Sequence, residues 1–175
     1  MKRWEMRLSG SGGQGLITGG IILAEAAILD GKNALQSQSY GPEARGGASK
    51  AEVIISDSEI TFPKVEECNF LLSLTQLSCD KYLKNLEPGG ILVIDTTVEM
   101  PEREDIKIFR IPILSTAEEK LGKPMVANIV ALGAINSITG LVSEEALEKA
   151  VLSRVPKGTE ELNKKALVEG YNLVS

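Results

Sequence analysis

Apolar and polar positions along the chain alternate between short β-type runs and longer helical stretches, the pattern of an α/β layered domain. Trp4 to Leu8 reads as a first strand, and the apolar stretch from Leu16 reads as a helix running to Asp30, where Gly31 stops it. A second strand is predicted over Asn33 to Ser37. Lys50 to Ser56 and Glu59 to Phe62 are β-type runs on either side of Asp57-Ser58, which reads as a hairpin closed by Pro63. Asn69 to Leu74 is a short apolar strand. Ser78 to Leu86 reads as a helix ended by Pro88-Gly89-Gly90, with buried strands at Ile91 to Asp95 and Ile106 to Ile111. Pro124 precedes a long apolar helix to Leu141. Two amphipathic helices finish the chain, one capped by Ser143 and carrying Leu147, Ala150, Val151 and Val155, the other capped by Thr159 and carrying Leu162, Ala166 and Tyr171. The expected fold is a three-layer α/β arrangement: a mixed, mostly parallel sheet with an antiparallel hairpin and helices on both faces, forming a single domain over 1–175.

Composition refines this picture. Hydrophobic residues make up 43% of the chain but aromatics only 4%, so the core must be built from Val, Ile, Leu and Ala, as in sheets covered by helices. A net charge of −5, with no local Lys/Arg cluster, argues against nucleic acid as a partner. Leu16 to Leu29 is interrupted by Glu25, and Val126 to Val142 holds Asn128, Asn136, Ser137 and Thr139. Both fall short of the roughly 20 apolar residues of a membrane span, so both are read as buried helices and no membrane is implied. Lys2 and Arg3 open a strand rather than a signal peptide, and the expected location is cytoplasmic. Helices this apolar need cover on more than one face, which predicts a homodimer or marginal solubility for the isolated chain.

The absence of histidine removes the usual general base and the commonest metal ligand. A hydrolase using Ser9 or Ser11 as nucleophile is excluded on that ground, and no catalytic residue is assigned. Cys68 and Cys79 lie too far apart for a Cys-x-x-Cys pair and have no further Cys or His to complete a cluster, so they read as small buried hydrophobes and no metal site is expected.

What remains is a glycine-rich segment between the first strand and the first helix, Ser9-Gly-Ser-Gly-Gly-Gln-Gly15. Gly10, Gly12 and Gly15 allow a tight turn, bring main-chain N–H groups close to a guest, and place the helix N-terminus beside it; the natural guest is a phosphate or a carboxylate. The spacing also satisfies the dinucleotide-binding fingerprint, which calls for an acidic residue about 20 positions on. The chain reads Lys32-Asn-Ala-Leu-Gln-Ser-Gln-Ser39 there, and Asp30 falls before the second strand, so the nicotinamide reading weakens. A stand-alone Rossmann-like nucleotide-binding module remains as the alternative, supported by the fingerprint alone. A second loop, Ser39-Tyr-Gly-Pro-Glu-Ala-Arg-Gly-Gly-Ala48, presents Arg45, whose planar fork suits a carboxylate or phosphate; an internal Glu43 to Arg45 pair is the competing reading. The two glycine-rich loops are expected to meet at one edge of the sheet.

Taken in order, Ser9 to Gly15, Tyr40-Gly-Pro-Glu-Ala-Arg-Gly-Gly47, the Val53-Ile-Ile-Ser56 strand and Met125-Val-Ala-Asn-Ile-Val-Ala-Leu-Gly133 resemble the gamma subunit of 2-oxoacid:ferredoxin oxidoreductases across essentially the whole chain. The Tyr-Gly-Pro-Glu form of the second loop looks most like the 2-oxoglutarate or branched-chain versions. The resemblance implies an oxidoreductase complex that decarboxylates a 2-oxoacid on thiamine diphosphate, passes electrons through iron–sulfur clusters to ferredoxin, and transfers the acyl group to coenzyme A. It also implies alpha, beta and ferredoxin-like delta partners, with thiamine diphosphate and clusters held by them and no cofactor held by this chain alone. What it leaves to this chain is packing against the partners and contact with coenzyme A: Gly10, Gly12, Gly13, Gln14 and Gly15 would form the phosphate loop, with Arg45 as counter-charge. The competing role for the same residues is tight packing at a subunit interface. Asn128, in the apolar helix, is expected to bond a neighbouring loop rather than a ligand, and Asp95 to orient a polar group at a strand end.

Overall fold

The computed structural model describes residues 3–38 and 47–174. Its centre is a six-stranded sheet of β1 (Arg3–Gly10), β2 (Asn33–Gln38), β3 (Ser49–Ser56), β4 (Cys68–Ser73), β5 (Leu86–Asp95) and β6 (Lys107–Ile111), in the order β2-β3-β1-β4-β5-β6. Neighbours β1, β4, β5 and β6 pair in parallel, whereas β3 runs antiparallel to both β1 and β2. The fold is therefore the expected mixed, mostly parallel sheet. Its antiparallel hairpin is made by β2 and β3, not by a turn at Asp57-Ser58.

The relocated hairpin has a simple cause. β3 lies between β1 and β2, so both of its edges are already paired and no edge is free for a strand following Ser56. Glu59 to Phe62 consequently runs as irregular chain, with Phe62 exposed. A second difference falls at Pro88-Gly89-Gly90, which lies inside β5 rather than between elements. Leu86 pairs with Cys68 but Ile91 already pairs with Phe70, so the extra residues bulge out where proline costs no ladder bond, and Gly89 at φ 82° donates its N–H to the Asp105 carbonyl at 2.7 Å.

Four helices cover one face: α1 (Leu16–Leu29), α3 (Ala127–Thr139), α4 (Glu144–Arg154) and α5 (Glu160–Asn172), which bury Met6, Leu8, Val53, Ile55, Phe70, Leu72 and Val93. The other face is closed by α2 (Gln76–Tyr82) and by connecting segments that bring Val65 and Val98 onto Ile54, Leu71, Leu92 and Ile94. Burial on both faces explains the continuous apolar runs of β4 and β5, since alternation appears only where one face is wet. Cap chemistry follows the sequence in one of two places. Ser143, extended at ψ 150°, accepts from the Ala146 N–H with its hydroxyl. Thr159 sits at the N-cap of α5 with ψ 8°, a geometry that turns its hydroxyl back to donate to the Pro156 carbonyl, and it does not cap.

Candidate functional site

The glycine loop leaves the C-terminal end of β1 and enters α1 through Gly15, which is left-handed at φ 72°. Gly13 is left-handed as well, at φ 88°, whereas Gly12 and Gln14 are not. The loop thus alternates in backbone handedness at the positive end of a 14-residue helix, a setting that suits an anion, and the Gln14 N–H closes the turn by donating to the Ser11 carbonyl at 3.4 Å. The N–H groups of Gly12, Gly13 and Gly15 donate to no described residue. The loop is braced from within by the Gln14 side chain, whose Oε1 accepts from the Ser11 N–H at 2.8 Å.

The glycines have different reasons to be glycine. A Cβ at Gly10 would strike the side-chain oxygen Oε1 of Gln14, displacing it from the Ser11 N–H, and sit 3.3 Å from Leu74 Cβ, so that position is needed for packing. A Cβ at Gly15 would lie 2.6 Å from Asn128 Nδ2 in addition to its left-handed strain. Gly12 is the exception: a Cβ there meets nothing within 4 Å and its φ is not positive, so nothing in the described chain calls for glycine.

Asn128 takes the structural role expected of it. From the first turn of α3 it donates through Nδ2 to the Gly15 carbonyl at 3.1 Å, tying the loop to a helix more than a hundred positions later. Ser9 is buried beneath the loop, donating to the Leu72 carbonyl at 2.7 Å and sharing a hydrogen bond with Ser73 Oγ. Asp95 at the end of β5 is also turned inward: it accepts from the Thr97 N–H and hydroxyl and from the Leu114 N–H, and so braces its own strand's exit.

Arg45 lies outside the described residues. The chain on either side of its loop is placed, however: Ser49 pairs with Gly10, and Gly47 packs so closely that a Cβ there would lie 2.9 Å from Leu77 at the start of α2. The second glycine-rich segment therefore rejoins the sheet beside the first. The same register removes the dinucleotide reading. In that motif the acid that grips ribose stands on the parallel strand next to β1, whereas here that neighbour is the antiparallel β3, and β2 lies beyond it.

One charged constellation escaped the sequence reading. Arg7 on β1 is almost fully buried, donating to its cross-strand partner Glu52 at 2.8 Å and to the Val65 carbonyl at 3.0 Å, with its guanidinium 5.5 Å from the Tyr82 ring centre. Only the antiparallel register of β1 and β3 juxtaposes the pair, and no local signal announces it. Cys68 and Cys79 are buried free thiols, and burial pushes both up to about 11. Among the described residues no three His, Cys, Asp or Glu side chains gather as a metal site, and no helix is long and apolar enough to cross a membrane.

Residues 5–173 match the pyruvate ferredoxin/flavodoxin oxidoreductase family. The chain belongs to that family. The 2-oxoglutarate synthase subunit KorC of Methanocaldococcus jannaschii is 51% identical, with 98% of this chain and 94% of that one aligned. The ketoisovalerate oxidoreductase subunit VorA of Methanothermobacter marburgensis is 34% identical over 83% of this chain and 31% of its own. Among solved structures, the gamma subunit of a keto/oxoacid ferredoxin oxidoreductase from Geobacter sulfurreducens is 53% identical, covers 98% of each chain and superposes with a TM-score of 0.88. The chain is a gamma-type member of these multisubunit oxidoreductases, as the ordered motifs imply. The 2-oxoglutarate:ferredoxin oxidoreductase of Magnetococcus marinus, solved with 2-oxoglutarate, coenzyme A and succinyl-CoA bound, shares the fold at TM-score 0.88 and 22% identity, over 99% of this chain and 31% of that one.

Proposed function

We propose that this chain is the gamma subunit of a 2-oxoglutarate:ferredoxin oxidoreductase, and that its glycine loop holds phosphates of coenzyme A in the assembled enzyme. The subtype rests on the gradient of identity: 51% to a full-length 2-oxoglutarate synthase subunit against 34% to a ketoisovalerate subunit and 33% to a pyruvate synthase subunit. The ligand assignment rests on the glycine loop at the start of α1, where the Gly12, Gly13 and Gly15 N–H groups carry no described partner and the one sterically unexplained glycine, Gly12, borders open space. Arg45 is the counter-charge in this reading. In this reading thiamine diphosphate and iron–sulfur clusters belong to alpha, beta and delta partners: with two cysteines and no histidine, the chain has too few ligands to hold a cluster by itself.

Co-expression with the partner subunits tests the proposal. The complex should co-elute with this chain and reduce a viologen with 2-oxoglutarate and coenzyme A, faster than with pyruvate or 2-oxoisovalerate. The isolated chain should be colourless and inactive. Preference for a branched-chain 2-oxoacid would overturn the subtype, and turnover by this chain alone would overturn the division of labour.

A further inference from the structure

Beside the glycine loop a groove of about 270 Å³ opens between the first turns of α1 and α3 and the segment that joins α4 to α5. Asn128 stands on its wall and bonds the Gly15 carbonyl, so groove and loop share a boundary. Val126, Ile129, Val155 and Leu162 make the lining mostly apolar. Among the described residues the one charge that reaches it, Arg154, is engaged by Glu25. Asn163, from the first turn of α5, also lines the groove although it is only 4% exposed. Its Nδ2 donates to the Thr159 carbonyl at 2.9 Å, which fixes the way round that the amide lies and turns Oδ1 away from that carbonyl. Among the described residues nothing donates to Oδ1. The side-chain polar atom sealed from solvent without a partner is the Tyr171 hydroxyl, so the Asn163 oxygen is open to the groove rather than walled in. An amide oxygen in an apolar setting is costly until a donor reaches it.

We propose that this groove takes the adenine ring of coenzyme A, with Asn163 Oδ1 accepting a hydrogen bond from the exocyclic amino group. The inference rests on the reading of the glycine loop as a phosphate site and carries it from the charged part of the ligand to a neutral one. Three observations select the base. The groove adjoins the loop through Asn128, and its lining, with Arg154 already paired, suits a group without charge. Its volume falls below the roughly 300–1,000 Å³ of pockets that enclose a whole drug-sized ligand, which leaves room for one base and not for the entire cofactor. The free polar atom is an acceptor, matching the donor that adenine carries at its 6-position, where a 6-oxo purine would set oxygen against oxygen.

The test compares coenzyme A with its etheno derivative, in which the exocyclic nitrogen of adenine is tied into a ring and has no hydrogen to donate. In the assembled enzyme the KM for the derivative should exceed that for coenzyme A at least tenfold, with kcat unchanged. Asn163→Leu, close in shape but without the oxygen, should raise the KM for coenzyme A toward that for the derivative and bring the discrimination below about twofold. Thr18→Trp, at an exposed position on the α1 wall, should raise the KM for coenzyme A by crowding the groove, and it carries the test should Asn163→Leu fail to assemble. Equal use of the two cofactors by the wild type, or undiminished discrimination in Asn163→Leu, would overturn the proposal. A Thr18→Trp enzyme with an unchanged KM would overturn it as well, and so would loss of co-elution in Thr18→Trp, which would assign the groove to a partner subunit. Gly12→Val separates this inference from the loop reading beneath it, since it should raise both KM values in proportion and leave the discrimination intact. A silent Gly12→Val with intact discrimination fails the loop alone; a responsive Gly12→Val with no discrimination fails the groove alone.

Discussion

Gly133 of α3 and Gly170 of α5 meet backbone to backbone: a Cβ on Gly170 would lie 2.9 Å from the Gly133 Cα, and one on Gly133 would lie 3.1 Å from the Gly170 Cα. Each hypothetical Cβ also collides with a carbonyl of the facing helix, from Val130 or Leu167. Neither neighbour is the yielding end of a side chain, so the helices must separate. Alanine at either site should destabilise the protein by about 1–3 kcal/mol, in spite of its better helix propensity. Both alanines together should cost less than the sum, because one separation relieves both collisions. Urea unfolding of the two single variants and the double variant decides it; additive or stabilising effects would contradict the contact.

Arg7 and Glu52 form a paired charge on the α2 face of the sheet, with their side chains 4% and 15% exposed. Removing one partner strands the other in a poorly solvated place. Arg7→Met should therefore destabilise by about 3–5 kcal/mol, and Glu52→Gln should also be costly because it leaves the guanidinium without its counter-charge. A double replacement by apolar residues should recover much of the loss. Equal stability of the single variants and the wild type in denaturant titration would show that the pair carries no such weight.

The physical origin of these contacts explains what could be read from the chain. The glycine loop, the start of α1 and the Ser143 cap are local, decided within a few residues of one another, and the sequence announces them. Strand order is not local. Nothing within Glu59 to Phe62 reports that β3 already has a neighbour on each side, and nothing near Arg7 reports that Glu52 will stand opposite. Asn128 lies between these cases. A polar residue in the first turn of an apolar helix signals that something needs a hydrogen bond, but only the fold identifies the Gly15 carbonyl as the recipient.

Cys68 and Cys79 give a pH signature. Burial raises each thiol from 9.0 to about 11, so the folded state retains protons that the unfolded chain begins to release near pH 9. Their contribution to stability is complete below pH 9 and is lost as pH rises toward 11. The denaturation midpoint should fall across that window more steeply than in a Cys68→Ala, Cys79→Ala double variant. In the native wild type, alkylation by iodoacetamide at pH 8 should be slow and should accelerate with denaturant. Rapid alkylation of the folded protein would place the thiols in solvent and sink the argument.

The glycine loop offers the sharpest separation between packing and ligand binding, because Gly10 and Gly12 lie two residues apart with opposite surroundings. A side chain at Gly10 collides with Gln14 and Leu74, so Gly10→Ala should destabilise the isolated chain, by about 1–3 kcal/mol, whatever the loop binds. A side chain at Gly12 enters open space with an ordinary φ, so Gly12→Val should leave the stability of the chain within about 0.5 kcal/mol. Its effect should emerge only in the assembled enzyme, where valine would fill the open space beside the loop. The apparent KM for coenzyme A should then rise by at least tenfold. The half-reaction that needs only the 2-oxoacid, followed as carbon dioxide release or cluster reduction before coenzyme A is added, should proceed as in the wild type. Arg45→Ala, removing the counter-charge, should act in the same direction and lose about 1.5–3 kcal/mol of binding. Should Gly12→Val instead abolish co-elution with the partner subunits while coenzyme A dependence stays unchanged in whatever enzyme still assembles, the loop receives a partner's backbone and not a phosphate.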